Sequence, residues 1–187
     1  DTVVLDKTGT VTTGRMELVE AVPADGVDTA DLLRFVGAVE NASEHPIGRA
    51  IASGASQRLG KQLPDVEGFN STQGLGVAGM VDGHAVVAGR HSWLVEEWSQ
   101  PLDAHLARVV DAAEQQGRTV IAAGWDGAAR GVVVVADAIK PTSAQAVAEL
   151  TFGLFLSLAR GIVYADRNLR NAHWVKSEMI GYNLRGK

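Results

Sequence analysis

The chain has 187 residues, of which 46% are hydrophobic and 21% are charged, and its formal net charge is −5. This size and composition fit one large or two small globular domains, and the acidic balance argues against a nucleic-acid-binding surface. Cysteine is absent, which excludes a disulfide framework and a thiolate metal site and favours a cytosolic chain.

Charge is unevenly spread along the chain. Residues 1–150 carry eleven Lys/Arg and twenty Asp/Glu, a net charge of −9, whereas residues 151–187 carry six and two, a net charge of +4. This shift predicts a boundary near Leu150. The apolar run over 151–159 is too short to cross a bilayer, which takes about twenty residues.

The first fourteen residues carry the strongest chemical pattern. A short apolar run, Val3 to Leu5, ends at Asp6, and a polar loop with Gly9 follows. This predicts a buried strand that presents a carboxylate at a sheet edge, beside backbone N–H groups able to hold a phosphate. Such a carboxylate can attack a phosphoryl group, with Lys7 and Thr8 stabilising the phosphate charge. Spacing alone also allows an ordinary turn, because Asp favours turns.

A strand and a helix are predicted next. Residues 16–22 mix apolar and acidic side chains, which predicts a strand that leads away from this loop. Asp28 or Thr29 can cap a helix, in which apolar residues recur with helical spacing to about Asn41.

A second helix is predicted to begin at Pro46, since proline suits the first helical position, with Ser43 or Glu44 near its cap. His45 then lies at a helix–helix corner close to a positive helix N-terminus. Two interpretations stay open here, an incidental histidine in a capping turn and a ligand-binding histidine.

Residues 65–89 are predicted to form strands, with Asp82 and Gly83 as a two-residue hairpin turn. The segment 74–79 has the spacing Gly-x-Gly-x-x-Gly, but a strand follows it rather than a helix, so a Rossmann fingerprint is rejected. It is either a flexible strand entry or a backbone that a base or ribose can approach closely.

Two helices over 90–98 and 102–116 follow, the second ending at Gly117. A second hairpin joins 120–125 to 131–136 with another Asp-Gly turn, Asp126 and Gly127, and a short helix is predicted from Thr142 to Leu150. This order predicts an α/β fold in which a lobe with an antiparallel sheet interrupts a parallel α/β domain.

Two motifs carry a resemblance to a known family. Asp6 to Thr12 reads Asp-Lys-Thr-Gly-Thr-Val-Thr and resembles the phosphorylation signature of P-type ATPases. The resemblance implies that Asp6 is the phosphorylated nucleophile. It also implies that Lys7, Thr8 and Gly9 line the phosphate and Mg²⁺ site, with Asp6 and Thr8 as Mg²⁺ ligands.

The second motif, Ser-Glu-His-Pro over 43–46, has Glu40 upstream and Gly-Leu-Gly over 74–76 downstream. This set resembles the nucleotide-binding domain of heavy-metal P-type ATPases. The resemblance implies ATP contacts at five residues: Glu40, His45, Gly74, Gly76 and Gly89. Arg90 stands where that family usually has Asn, so this sequence lacks the asparagine contact, and Arg90 can instead meet phosphate electrostatically.

The resemblance also implies a domain plan. Residues 1–14 begin a haloacid-dehalogenase-like phosphorylation domain, 15–133 form the inserted nucleotide-binding lobe, 134–150 return to the phosphorylation domain, and 151–187 are an atypical tail. The family's later Thr-Gly-Asp and Gly-Asp-Gly-x-Asn-Asp motifs are absent from the sequence. We therefore expect an incomplete phosphorylation domain, an incomplete Mg²⁺ site and little ATP turnover.

The expected function is that of the ATP-binding, aspartyl-phosphate-forming cytosolic part of a bacterial plasma-membrane ATPase that transports a heavy metal, with copper favoured. Its partners would be ATP and the transmembrane and remaining cytosolic domains of the same ATPase. Asp1 lies only five residues before the expected nucleophile, which suggests an excised fragment. The alternatives are an ATP-binding module without turnover, and a haloacid-dehalogenase-type phosphatase, in which a second Asp would usually replace Thr8.

Overall fold

The computed structural model describes residues 12–139, 142–159 and 162–171. These residues divide into a compact unit over Thr12–Ala138 and a second unit that begins at Ile139. In chain order the elements are β1 (Thr12–Pro23), α1 (Thr29–Asn41), α2 (Pro46–Leu59), β2 (Glu67–Thr72), β3 (Gly76–Val81), β4 (His84–Gly89), α3 (His91–Trp98), α4 (Ala104–Gln115), β5 (Thr119–Trp125), β6 (Ala128–Ile139), α5 (Ser143–Ala159) and α6 (Ile162–Arg170).

The first unit contains a six-stranded sheet in the order β1-β6-β5-β4-β3-β2. Strands β2 to β6 pair antiparallel with their neighbours. Both predicted hairpins are confirmed, since Asp82 and Gly83 have φ of 49° and 82°, and Asp126 and Gly127 have 53° and 75°. Positive φ at both central residues is what a type I′ turn requires. The predicted mixed α/β fold, with an antiparallel sheet flanked by helices, is therefore correct.

Helices cover this sheet on both faces. On one face α1 and α2 pack over a core that includes Leu32, Val36 and Ile51. On the other face α3 and α4 build a separate core that includes Leu94 and Leu106. The central strands contribute to both cores because successive side chains of a strand point to opposite faces, as the buried run over 132–135 illustrates.

Most predicted element boundaries agree with the structure to within a few residues. Asp28 is the N-cap of α1, where its carboxylate accepts a hydrogen bond from the Ala30 N–H at 2.9 Å. Gly117 follows the end of α4 with a φ of 69°, as expected of a helix-terminating glycine. Strand β1 is longer than the predicted 16–22, since it begins at Thr12.

The second unit corrects one prediction. The helix expected to end near Leu150 continues through that position to Ala159 as α5, because Thr151 to Ala159 contains no proline and few residues that disfavour a helix. A further helix, α6, was not predicted. Within the described ranges, no helix combines the length and apolarity needed to cross a bilayer.

Candidate functional site

A cavity of about 680 Å³ lies at the end of the sheet where β3 and β5 begin and β4 ends. Three separate parts of the chain bring the five nucleotide contacts implied by the resemblance to its wall: the α1–α2 corner, the β2–β3 loop and the end of β4. These residues are Glu40, His45, Gly74, Gly76 and Gly89. The structure thus brings the five together, while their role in binding stays a prediction.

His45 is the N-cap of α2, and Ser43 and Glu44 lie just before it, near the cap as predicted. Its ring Nδ1 accepts a hydrogen bond from the Ile47 backbone N–H at 3.2 Å. Its backbone N–H donates to the Ser43 hydroxyl, also at 3.2 Å. An imidazole that accepts at Nδ1 carries its proton on Nε2. His45 is exposed, so this cap contact orients the ring and leaves the Nε2–H able to donate to a ligand.

Glu40 lies in the last turn of α1 and is 5% exposed. Its carboxyl group packs against the first turn of α2, where a Cβ added to Gly48 would lie 2.7 Å from Glu40 Oε2. Burial raises the pKa of Glu40 to about 7, because removal from water penalises the charged form. Near neutral pH the protonated and ionised forms coexist, so the group can either donate or accept a hydrogen bond.

Glycine is required at the three positions of the site for two different physical reasons. Gly74 has a φ of 75° and free space around its missing Cβ, so the turn between β2 and β3 requires it. Gly76 and Gly89 are opposite each other in the β3–β4 register. A Cβ at Gly76 would lie 2.5 Å from the Trp93 ring, and one at Gly89 would lie 2.8 Å from it. Backbone carbonyl oxygens are closer still, at 2.4 Å in each case: that of Ala88 for Gly76 and that of Leu75 for Gly89. Close packing against the neighbouring backbone and the Trp93 ring therefore explains this pair, whether or not a ligand approaches.

Arg90 also borders the cavity and is the N-cap residue of α3. Its N–H donates to the Leu75 carbonyl at 2.8 Å, which fastens the β2–β3 loop to the beginning of α3. The arginine side chain is exposed, so the cavity has a cation where the resemblance implies an asparagine.

One wall of the cavity was missed from the sequence. It is formed by Glu114 of α4 and by residues 118–121, at the beginning of β5. Strand β4 ends at Gly89, opposite Ala122, so the first three residues of β5 extend past their neighbour. Motif matching could not find this wall, because only the strand register brings it to the cavity.

The phosphorylation residues implied by the resemblance, Asp6, Lys7, Thr8 and Gly9, lie outside the described residues. In the ranges that the structure describes, no group of three or more His, Asp or Glu side chains could hold a metal ion. The predicted Mg²⁺ site therefore stays a prediction.

Comparisons with known proteins agree with this architecture. Residues 1–164 match the haloacid dehalogenase-like hydrolase family. A copper-exporting P-type ATPase of Bacillus subtilis is 39% identical over 150 residues, which are 80% of this chain and 18% of that protein. The chain spans about a fifth of the length of the curated relatives it matches.

Solved structures extend the comparison. A zinc-transporting PIB-type ATPase has a TM-score of 0.67 and 28% identity, over 78% of this chain and 23% of that one. The N-domain of a copper-transporting P-type ATPase has a TM-score of 0.52 at 22% identity, over 66% of this chain and 99% of that one, and shows likeness of fold. The chain therefore belongs to the haloacid dehalogenase-like hydrolase family, and it is similar to the catalytic and nucleotide-binding region of copper-transporting P-type ATPases.

Proposed function

We propose that this chain is the ATP-binding and aspartyl-phosphate-forming part of a copper-exporting P-type ATPase, and that ATP binds in the cavity at the end of the sheet. The observation that carries the proposal is the meeting of Glu40, His45 and the Gly74–Gly76 loop around one cavity. The loop and His45 are far apart in the sequence, so it is the fold that brings them to one cavity. A cavity of this volume is within the usual range for small-molecule sites.

The adenine base of ATP would lie against the wall formed by the α1–α2 corner. The His45 Nε2–H is a fixed donor, because the α2 cap occupies Nδ1. The buried Glu40 can exchange a hydrogen bond with a polar edge of adenine. A base held here would be partly removed from water, which strengthens both hydrogen bonds.

Phosphoryl transfer would take place at Asp6. Its carboxylate would attack the γ-phosphorus, and the bond to the ADP leaving oxygen would break. Asp6 and Thr8 would provide oxygen ligands to Mg²⁺, which neutralises phosphate charge when it is bound. Because the later acidic motifs are absent from the sequence, we expect phosphoenzyme formation at most and no useful steady turnover by this chain alone.

In the proposed full-length ATPase, the transmembrane and remaining cytosolic domains would be the partners, and the chain would lie on the cytosolic side of a bacterial plasma membrane. Copper is the proposed transported ion, since the similar Bacillus subtilis protein is named as a copper exporter. Zinc, cadmium and cobalt are the alternatives.

Two other functions deserve a test. One is an ATP-binding module whose Asp6 is never phosphorylated. The other is a haloacid-dehalogenase-type phosphatase, although Thr8 replaces the second aspartate usual in such enzymes, and the similar proteins are named as ATPases.

Calorimetric titration with ATP tests the nucleotide site. His45→Ala removes both the helix cap and the imidazole, whereas His45→Asn restores a good capping group without the Nε2–H donor. We expect both variants to lose about tenfold or more in ATP affinity, as the loss of one good hydrogen bond allows. Native affinity in His45→Asn would mean that His45 serves α2 rather than ATP.

Labelling with γ-³²P-ATP tests phosphorylation separately. An acid-stable, hydroxylamine-labile label that Asp6→Asn abolishes supports the aspartyl-phosphate. ATP binding without such a label favours the binding module. Steady phosphate release that depends on Asp6 would contradict the expected lack of turnover.

A further inference from the structure

The two helical layers give the cavity two chemically different walls. His45 and Glu40 come from the α1–α2 side, whereas Arg90 begins α3 and Arg118 lies between α4 and β5. In the described part of the chain, neither arginine side chain takes part in an ion pair. Both positive charges are therefore available to a ligand.

The backbone at Arg118 is held by the end of α4. Its N–H donates to the Ala113 carbonyl at 3.0 Å, and the Gly117 N–H donates to the Glu114 carbonyl at 2.8 Å. Gly117 reverses the chain with a positive φ, and β5 begins one residue after Arg118. The side chain is half-buried, so less of its conformational freedom remains to be lost on binding than for an exposed arginine.

The negative charge of the lobe opposes the binding of a polyanionic ligand, so a cation in the cavity wall would favour it. Residues 12–138 carry nine Lys/Arg and seventeen Asp/Glu, a net charge of −8, which repels a triphosphate at long range. Glu114 borders the same wall and adds to that repulsion at short range. A planar guanidinium that can form two parallel hydrogen bonds to phosphate oxygens counters both effects locally.

We propose that Arg118 contacts the phosphate chain of the bound nucleotide and makes the site favour nucleotides with more phosphates. The proposal rests on ATP binding in this cavity and adds a residue that the family motifs did not supply. Arg90 lies on the same wall and contributes a second, more exposed positive charge.

The test is a calorimetric comparison of ATP, AMP and adenosine on the native chain, on Arg118→Gln and on Arg108→Gln. Arg108 is an exposed residue of α4 outside the cavity, so its variant removes the same charge from the lobe without altering the wall. We expect Arg118→Gln to weaken ATP by about tenfold, as expected for a charge-assisted hydrogen bond. AMP should weaken less, and adenosine affinity should stay close to that of the native chain. Arg108→Gln should bind all three like the native chain.

The other outcomes contradict specific parts of the reasoning. Equal ATP affinities for Arg118→Gln and Arg108→Gln would overturn the phosphate contact while leaving the nucleotide site intact. An equal loss for ATP and adenosine would also overturn it, because the change would then have distorted the cavity. Failure of the native chain to bind ATP would overturn both this inference and the proposed function.

Discussion

Glu40→Gln should stabilise the lobe, and the gain should grow with pH. The replacement has nearly the same shape as glutamate but has no charge to bury. The pKa of Glu40 rises from 4.5 to about 7 on folding, so the folded chain holds this proton more tightly than the unfolded chain does. The free energy of unfolding of the native chain therefore falls as pH rises from about 4.5 to 7.

The size of the effect follows from the two pKa values. Their difference, 7 minus 4.5, multiplied by 1.36 kcal/mol for each pH unit, corresponds to about 3 kcal/mol. The advantage of Glu40→Gln over the native chain should therefore increase by about 3 kcal/mol between pH 4.5 and pH 8. Other titrating groups are the same in both proteins, so their contributions cancel in this difference.

Urea unfolding at several pH values, followed by tryptophan fluorescence, measures the effect. Trp93 and Trp125 are buried and should report loss of the core. Glu44→Gln is a matched control that removes the same charge from an exposed position of the α1–α2 corner; surface changes of this kind usually alter stability by about 0.5 kcal/mol or less. If Glu40→Gln exceeds the native chain in free energy of unfolding by the same amount at pH 5 and pH 8, burial does not raise the pKa of Glu40, and the reasoning is wrong.

Three further predictions concern packing and capping. Gly76→Ala should destabilise the lobe by about 1–3 kcal/mol, because the new Cβ would lie 2.4 Å from the Ala88 carbonyl oxygen; Gly153→Ala, with open space around it, is the control in the same thermal unfolding measurement. Leu32→Ala should lower the free energy of unfolding, measured in urea, by about 2–5 kcal/mol, since Leu32 is fully buried. A decrease of less than about 1 kcal/mol would contradict its place in the core. Asp103→Ala should lower the free energy of unfolding by about 1 kcal/mol by the same method, because the Asp103 carboxylate accepts a hydrogen bond from the Leu106 N–H at 2.7 Å. An unchanged urea midpoint would show that this cap does not stabilise the lobe.

The amino-acid sequence by itself determined most of the local structure. Helical spacing of apolar residues predicted α1, and the two Asp-Gly pairs predicted the hairpins, because these signals act over a few neighbouring residues. The resemblance carried by the Ser-Glu-His-Pro motif and the paired glycines implies a nucleotide site, which stays a prediction. The full length of α5 was not predicted. The change in composition after Leu150 suggested that the helix ends there, but the helix continues to Ala159.

Only the tertiary structure decided how the site is built. His45 proved to be the cap of α2, and Gly76 and Gly89 are required by the neighbouring backbone and by the Trp93 ring, which leave no room for a Cβ. The burial of Glu40 depends on the close approach of α1 and α2 at Gly48, and the place of Arg118 depends on the register of β4 and β5. Most of these features are contacts between segments far apart in the chain, so no local pattern of residues could reveal them.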